Sequence, residues 1–220
     1  MEIIYNIEIL ERISAAMDAW DKKNFGGILP RENSRPWGML WTLGGIAEEI
    51  AELIDATDQT VRKFCTIDKE KGLDAVADIC MYSMNFLRKA KIGLAESLSY
   101  TKKPIEWENK VLLWVDNGVC QKSCLPLICT GLAYCSGKLG HHVVGVLTKT
   151  RMQENHWDQV KFWTCHLWRL CYLAANFIDN KIDFTDLLDH VSAVVMNRDW
   201  KKFPDDANKR VLNDTISKCS

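Results

Sequence analysis

Apolar residues recur along this chain at intervals of three and four positions, which is the spacing of residues on one face of an α-helix. Convincing runs of alternating apolar and polar residues, which would indicate strands, do not occur in the sequence. Five prolines and twelve glycines interrupt the pattern and mark the ends of helices. The pattern predicts an all-α protein with helices at residues 3–22, 38–58, 71–98, 105–117, 121–150, 154–179 and 184–199.

The charge balance excludes several classes of protein. The chain has 28 basic and 29 acidic side chains and a formal net charge of −1. Such a balance provides no field that would attract nucleic acid or a membrane surface. No stretch of about 18 apolar residues is present, so the sequence predicts no membrane-spanning helix. The chain has nine cysteines, and this odd number favours reduced thiols over disulfides. We therefore expect a cytoplasmic protein with no membrane segment and no nucleic-acid partner.

Two segments of the first half are repeated, with divergence, in the second half. Residues 38–54 align without gaps on residues 131–147, and residues 74–86 align on residues 165–177 in the same order. Glycines and apolar positions recur in both pairs, which predicts a tandem duplication. The predicted repeats, either packed on each other or joined as one continuous domain, are residues 1–104 and 105–220.

Carboxylates form a stripe on the predicted helix at residues 38–58. Glu48, Glu49 and Glu52 fall within an arc of about 100°, and Asp55 lies beside Glu48. The opposite face is apolar and is typical of a core seam. Taken alone, such a stripe is usually a solvated acidic surface.

The following predicted helix makes a chemical role more plausible for this stripe. Asp74, Asp78 and Asn85 share one face, at spacings i, i+4 and i+11, on a helix that is otherwise mostly apolar. A buried ionised carboxylate must be paired with a cation, bind a metal or be protonated. Carboxylates on two adjacent helices suit Mg²⁺ or Mn²⁺, and magnesium commonly bridges protein carboxylates to phosphates. The pattern therefore indicates phosphate chemistry.

The order of these residues resembles the signature of the all-α nucleoside triphosphate pyrophosphohydrolases, which include the MazG-like proteins and the dimeric dUTPases. Their EExxE motif is matched by Glu48-Glu49-Ile-Ala-Glu52, and their ExxD motif is approximated by Asp74-Ala-Val-Ala-Asp78. Residues 195–204 also resemble the tail of small MazG-like proteins, which phages often encode. The chain departs from the motif at Ala75, where the family has glutamate. Asp74 can replace that residue, because positions i−3 and i−4 both lie on the Asp78 face.

The resemblance implies an enzyme that uses Mg²⁺ or Mn²⁺ to hydrolyse a nucleoside triphosphate to the monophosphate and pyrophosphate. The implied metal ligands are Glu49, Glu52, Asp74 and Asp78, with Glu48 as a further ligand or as the base that activates water. Residues expected to contact the nucleotide are Asn85, the aromatic residues Trp37, Trp41 and Tyr82, and the basic residues Lys22 and Arg35.

The predicted second repeat retains none of the aligned carboxylates. His141, His142, Gly145 and Arg169 stand in the places of Glu48, Glu49, Glu52 and Asp78. Because the apolar frame is kept, we expect this degenerate copy to act as a built-in packing partner, so that the chain is a monomer with an internal pseudo-dimer, or a homodimer. The alternative is a catalytically inactive helical protein that binds nucleotides or regulates another protein.

Overall fold

The structure, a computed structural model, confirms the all-α fold. It describes residues 3, 5–25, 35–57, 67–101, 103–148 and 155–197, with the backbone alone at residues 21, 24, 25 and 35–37. In these ranges no strand occurs, and no helix is long and apolar enough to cross a membrane. The described helices are α1 (Ile7–Phe25), α2 (Arg35–Thr57), α3 (Lys69–Ala90), α4 (Leu94–Leu98), α5 (Glu106–Asp116), α6 (Leu125–Thr148), α7 (His156–Ile178) and α8 (Phe184–Asn197).

Lys91 divides a segment for which the sequence predicts one continuous helix. Its φ is 59°, and the backbone N–H of Ile92 donates a hydrogen bond to the carbonyl of Leu87 at 2.9 Å. This left-handed residue ends α3, and the chain continues as the short helix α4. The prediction of a single helix over 71–98 is therefore wrong, because apolar spacing continues through the turn and does not reveal it.

Two antiparallel hairpins form the centre of the molecule. One consists of α2 and α3 and the other of α6 and α7, while α2 packs on α6 and α3 packs on α7. The helix that follows each hairpin packs on the other hairpin, so that α4 contacts α7 and α8 contacts α3. Helix α1 packs against α3 and α8, and α5 packs against α6. The buried apolar residues of both hairpins belong to one hydrophobic core.

A buried tryptophan connects the two hairpins. Trp168 of α7 is fully buried, and its indole N–H donates to the hydroxyl oxygen of Ser83 in α3 at 2.6 Å. The ring of Tyr5 meets the Trp168 ring edge-on, with centroids 5.8 Å apart. Because a buried N–H group needs an acceptor, this contact helps to fix how α3 lies against α7.

Candidate functional site

Helices α2 and α3 pack in a regular register that can be traced along their whole contact. A Cβ atom added at Gly38 would lie 2.9 Å from the Lys89 side chain, and one added at Gly45 would lie 2.6 Å from the Tyr82 ring. A step of seven residues toward the C-terminus of α2, from Gly38 to Gly45, is thus matched by a step of seven residues toward the N-terminus of α3, from Lys89 to Tyr82. One further turn in the same register leads to the carboxylates.

Four carboxylates act on Glu49 where α2 and α3 meet. The pKa of Glu49 is raised to about 9, first by burial and then by the charges of Asp78, Glu52, Asp74 and Glu48. Glu49 therefore carries a proton at neutral pH, whereas Glu48 and Glu52 are exposed. A buried carboxylate can be paired with a cation, bind a metal or be protonated. The raised pKa shows that Glu49 can be accommodated by protonation.

The position that departs from the family motif faces the core. Ala75 is 2% exposed and belongs to the hydrophobic cluster. Asp74, the preceding residue, is half-buried, and its charge contributes to the raised pKa of Glu49. Asp74 therefore lies close to Glu49, and its role as the replacement for the missing glutamate stays a prediction.

The donor atoms of this cluster fit a hard divalent cation. All are carboxylate oxygens, and a bound cation would relieve the repulsion that raises the pKa of Glu49. As the described residues stand, no group of three or more His, Cys, Asp or Glu side chains is arranged so that it could hold a metal ion. The cluster is therefore a set of suitable ligands without a closed coordination shell.

An aromatic pair, formed by the exposed Trp41 and the half-buried Tyr82, lies about one helical turn from the carboxylates. Trp41 is 50% exposed, and its ring meets the Tyr82 ring edge-on with centroids 5.8 Å apart. The absence of a side chain at Gly45 leaves the space that the Tyr82 ring occupies. Tyr82 also lies one helical turn from Asp78. A flat nucleotide base could stack on this pair while its phosphates reach the carboxylates.

Asn85 and Lys22 lie together in a hydrogen-bond network farther along α3. Arg88 donates to the amide oxygen of Asn85 at 2.7 Å and is paired with Asp18 of α1. Lys22 lies 2.6 Å from Asp18, and this hydrogen bond, together with the charge of Arg88, holds the pKa of Asp18 below its usual value. Sequence alone did not predict Asp18 and Arg88 as site residues, although Arg88 follows Asn85 at the i, i+3 spacing of helical neighbours.

The side chains of Arg35 and Trp37 lie outside the described residues, so their roles stay predictions. Their backbone belongs to the first turn of α2. A basic residue that was not predicted, Lys89, lies on the described part of this face, where its side chain covers Gly38.

The second hairpin does not bring its aligned residues together. His142 of α6 lies against His156 at the start of α7, with their Nδ1 atoms 3.1 Å apart. Arg169 is thirteen residues farther along α7, or about 20 Å of helix. There its Nε lies 2.9 Å from both carboxylate oxygens of Glu108, a residue of α5 that is 2% exposed. Arg169, which the alignment places at the position of Asp78, therefore forms a buried ion pair with Glu108.

Comparison of the chain with models of protein families, with curated proteins and with solved structures returned no match. The family resemblance therefore rests on the motifs quoted for it.

Proposed function

We propose that the protein is a metal-dependent nucleoside triphosphate pyrophosphohydrolase that converts a (d)NTP to the (d)NMP and pyrophosphate. The main support is the carboxylate cluster of α2 and α3, in which the pKa of Glu49 is raised to about 9. The aromatic pair one turn away supplies the second feature that a nucleotide needs, a surface for its base. Together they support a site for a substrate that has both anionic and aromatic parts.

The carboxylates would have two kinds of role. Those that would hold Mg²⁺ or Mn²⁺ are Glu49, Glu52, Asp74 and Asp78. When bound, the cation would neutralise phosphate oxygens and lower the pKa of a water molecule. Glu48, which is exposed beside Glu49, would accept the proton of the attacking water. Glu49 would release its own proton on binding the cation, because the cation reverses the local repulsion.

The remaining residues would bind and orient the nucleotide. Trp41 and Tyr82 would hold the base by stacking, which is worth about 1–3 kcal/mol per base in other proteins. Asn85 lies three residues beyond Tyr82 and would form a hydrogen bond with the nucleotide. These contacts would place the triphosphate over the carboxylate cluster.

An activity panel tests the proposal directly. The purified 220-residue chain is incubated with common and modified triphosphates and Mg²⁺ or Mn²⁺, and the products are separated by chromatography. We expect monophosphate and pyrophosphate from at least one triphosphate, and no products in EDTA. Asp78→Asn should lower kcat/KM by more than about a hundredfold, which exceeds the loss typical of residues that only hydrogen-bond to a metal ligand. The control Asp116→Asn, at an exposed position ending α5, should keep the activity.

A non-catalytic nucleotide-binding or regulatory protein is the alternative. It is favoured by Ala75 and by the lack of a closed coordination shell in the described residues. Calorimetric binding of a triphosphate without release of pyrophosphate from any substrate would establish this alternative.

A further inference from the structure

Two histidine rings meet at the corner between α6 and α7. His142 lies near the end of α6, and His156 is the first residue of α7. Their Nδ1 atoms are 3.1 Å apart, and their ring centroids are 5.4 Å apart at an interplanar angle of 58°. In a pair of neutral imidazoles, one Nδ1 atom carries a hydrogen and the other accepts it. Both Nδ1 atoms therefore face the same space between the rings.

The packing around His156 holds this arrangement in place. Only 6% of His156 is exposed. A Cβ atom added at Gly145, three residues beyond His142 on α6, would lie 2.9 Å from Cε1 and 3.1 Å from Nε2 of His156. The absence of a side chain at Gly145 therefore leaves the space in which the His156 ring reaches His142. The contact is part of the packing between the two helices.

The separation of the two Nδ1 atoms matches the spacing of neighbouring ligands on a transition-metal ion. Zinc–nitrogen bonds are about 2.0–2.1 Å long. Two such bonds place their nitrogen atoms about 2.9 Å apart at a right angle and about 3.3 Å apart at the tetrahedral angle. The 3.1 Å between His142 and His156 lies between these values. A cation can therefore bind both rings with little movement of either.

The charges around His142 favour one class of cation. Burial, followed by the charges of His141, His156 and Lys138, lowers the pKa of His142 below its usual value. The ring is therefore neutral at neutral pH, which is the form that binds metals. The ammonium group of Lys138, which lies over the Tyr134 ring at 5.3 Å from its centroid, opposes a bound cation. A cation that gains from imidazole nitrogen is therefore favoured over one that gains from charge alone.

We propose that His142 and His156 are two ligands of a site for a nitrogen-preferring divalent cation such as Zn²⁺, which joins the end of α6 to the start of α7. The carboxylates of α2 and α3 suit Mg²⁺, so this site does not depend on the proposed function. Within the described parts of the chain, no group of three such side chains is arranged to hold a metal, so water completes the coordination. The hydrogen shared by the rings transfers through water to Nε2 of the ring that carried it, which leaves both imidazoles neutral and both Nδ1 atoms able to bind.

Zn²⁺ binding followed by calorimetry tests the two ligands. Zn²⁺ is titrated into the reduced 220-residue chain in excess Mg²⁺, which competes for the carboxylates. His142→Gln and His156→Gln should each weaken one Zn²⁺-binding event at least about tenfold. The controls Cys120→Ser, at an exposed thiol, and Asp78→Asn, in the carboxylate cluster, should leave that event unchanged. No Zn²⁺ binding by the wild type, or binding that both histidine variants retain in full, would overturn the proposal.

The charge of Lys138 provides a variant with the opposite effect. Lys138→Met should tighten Zn²⁺ binding at least about twofold, because it removes a positive charge that acts on His142. The matched control is Lys110→Met, at a lysine that lies over the Trp107 ring instead. Equal affinities of the two variants would place the cation away from His142 and overturn the proposal.

X-ray absorption by the zinc-loaded wild-type chain gives a readout that does not depend on the folding of any variant. With one Zn²⁺ per chain, we expect the scattering of two imidazole rings, Zn–N distances of about 2.0–2.1 Å and no sulfur at about 2.3 Å. Sulfur ligands, or oxygen ligands alone, would overturn the proposal. The activity panel is independent of this result, so the zinc site and the proposed hydrolysis can each fail while the other stands.

Discussion

The two central hairpins accommodate buried charge in opposite ways. Between α2 and α3, carboxylates face other carboxylates, and the raised pKa of Glu49 keeps a proton there at neutral pH. Beside α6 and α7, Glu108 meets Arg169. Burial alone would raise the pKa of Glu108, but its contacts with His166 and Arg169 lower it. In the second hairpin Glu108 is thus matched by a cation of the protein, whereas the charges that raise the pKa of Glu49 in the first hairpin are those of other carboxylates.

The difference matters because repulsion between carboxylates opposes folding, whereas a hydrogen-bonded ion pair satisfies its buried charges. A carboxylate with a strongly perturbed pKa, such as Glu49, is typical of functional sites, whereas a bidentate pair such as that of Arg169 with Glu108 is a strong interaction that holds two helices together. The comparison therefore favours α2 and α3 as the site of chemistry and α6 and α7 as support. Substitutions in each hairpin can test this assignment.

Removal of the cation from the second hairpin should produce the largest effect. Arg169→Met leaves the carboxylate of Glu108, which is 2% exposed, without its main partner. We expect the free energy of unfolding in urea to fall by about 3–5 kcal/mol. The double variant with Glu108→Leu should recover most of the loss, because an apolar pair needs no counter-charge. Arg12→Met, at an exposed pair, should cost less than about 1 kcal/mol. A comparably small loss for Arg169→Met would contradict the structural role of the second hairpin.

Neutralising Glu49 should have the opposite effect on stability, because it should raise the free energy of unfolding. Its pKa is about 9 in the folded chain and ordinarily 4.5, so the folded state binds more protons between these values and stability falls as pH rises from about 4.5 to about 9. Glu49→Gln removes this loss. At pH 8 in EDTA, the variant should be more stable than the wild type by on the order of 1–2 kcal/mol, allowing for partial solvent screening.

Urea unfolding at pH 5.5 and pH 8 measures this difference, and Glu48→Gln at a neighbouring exposed position is the control. Mg²⁺ added at pH 8 should stabilise the wild type more than Glu49→Gln, because the cation binds the ionised cluster. If wild-type stability does not change between the two pH values, the carboxylates do not repel one another as described.

The first hairpin was easier to predict from sequence than the second, for a physical reason. Helical spacing places Glu49 and Asp78 on defined faces, and the short connection between α2 and α3 brings those faces together. The pairing of Arg169 with Glu108, like that of Arg88 with Asp18, depends on how distant helices dock, which periodicity does not encode.

The smallest effects should come from three glycines that differ only in their surroundings. An added Cβ meets nothing within 4 Å at Gly44 of α2 or at Gly137 of α6, but lies 2.6 Å from the Tyr82 ring at Gly45. Gly44→Ala and Gly137→Ala should therefore each stabilise their helix by about 0.5–1 kcal/mol. Gly45→Ala gains the same helix propensity but must displace the Tyr82 ring. We therefore expect its free energy of unfolding in urea to fall by about 1 kcal/mol. The displacement should also change the fluorescence of the tryptophan at position 41, which contacts that ring. If Gly45→Ala stabilises the chain as much as Gly44→Ala does, the Tyr82 ring moves aside without cost, and the first hairpin holds no preformed surface for a base.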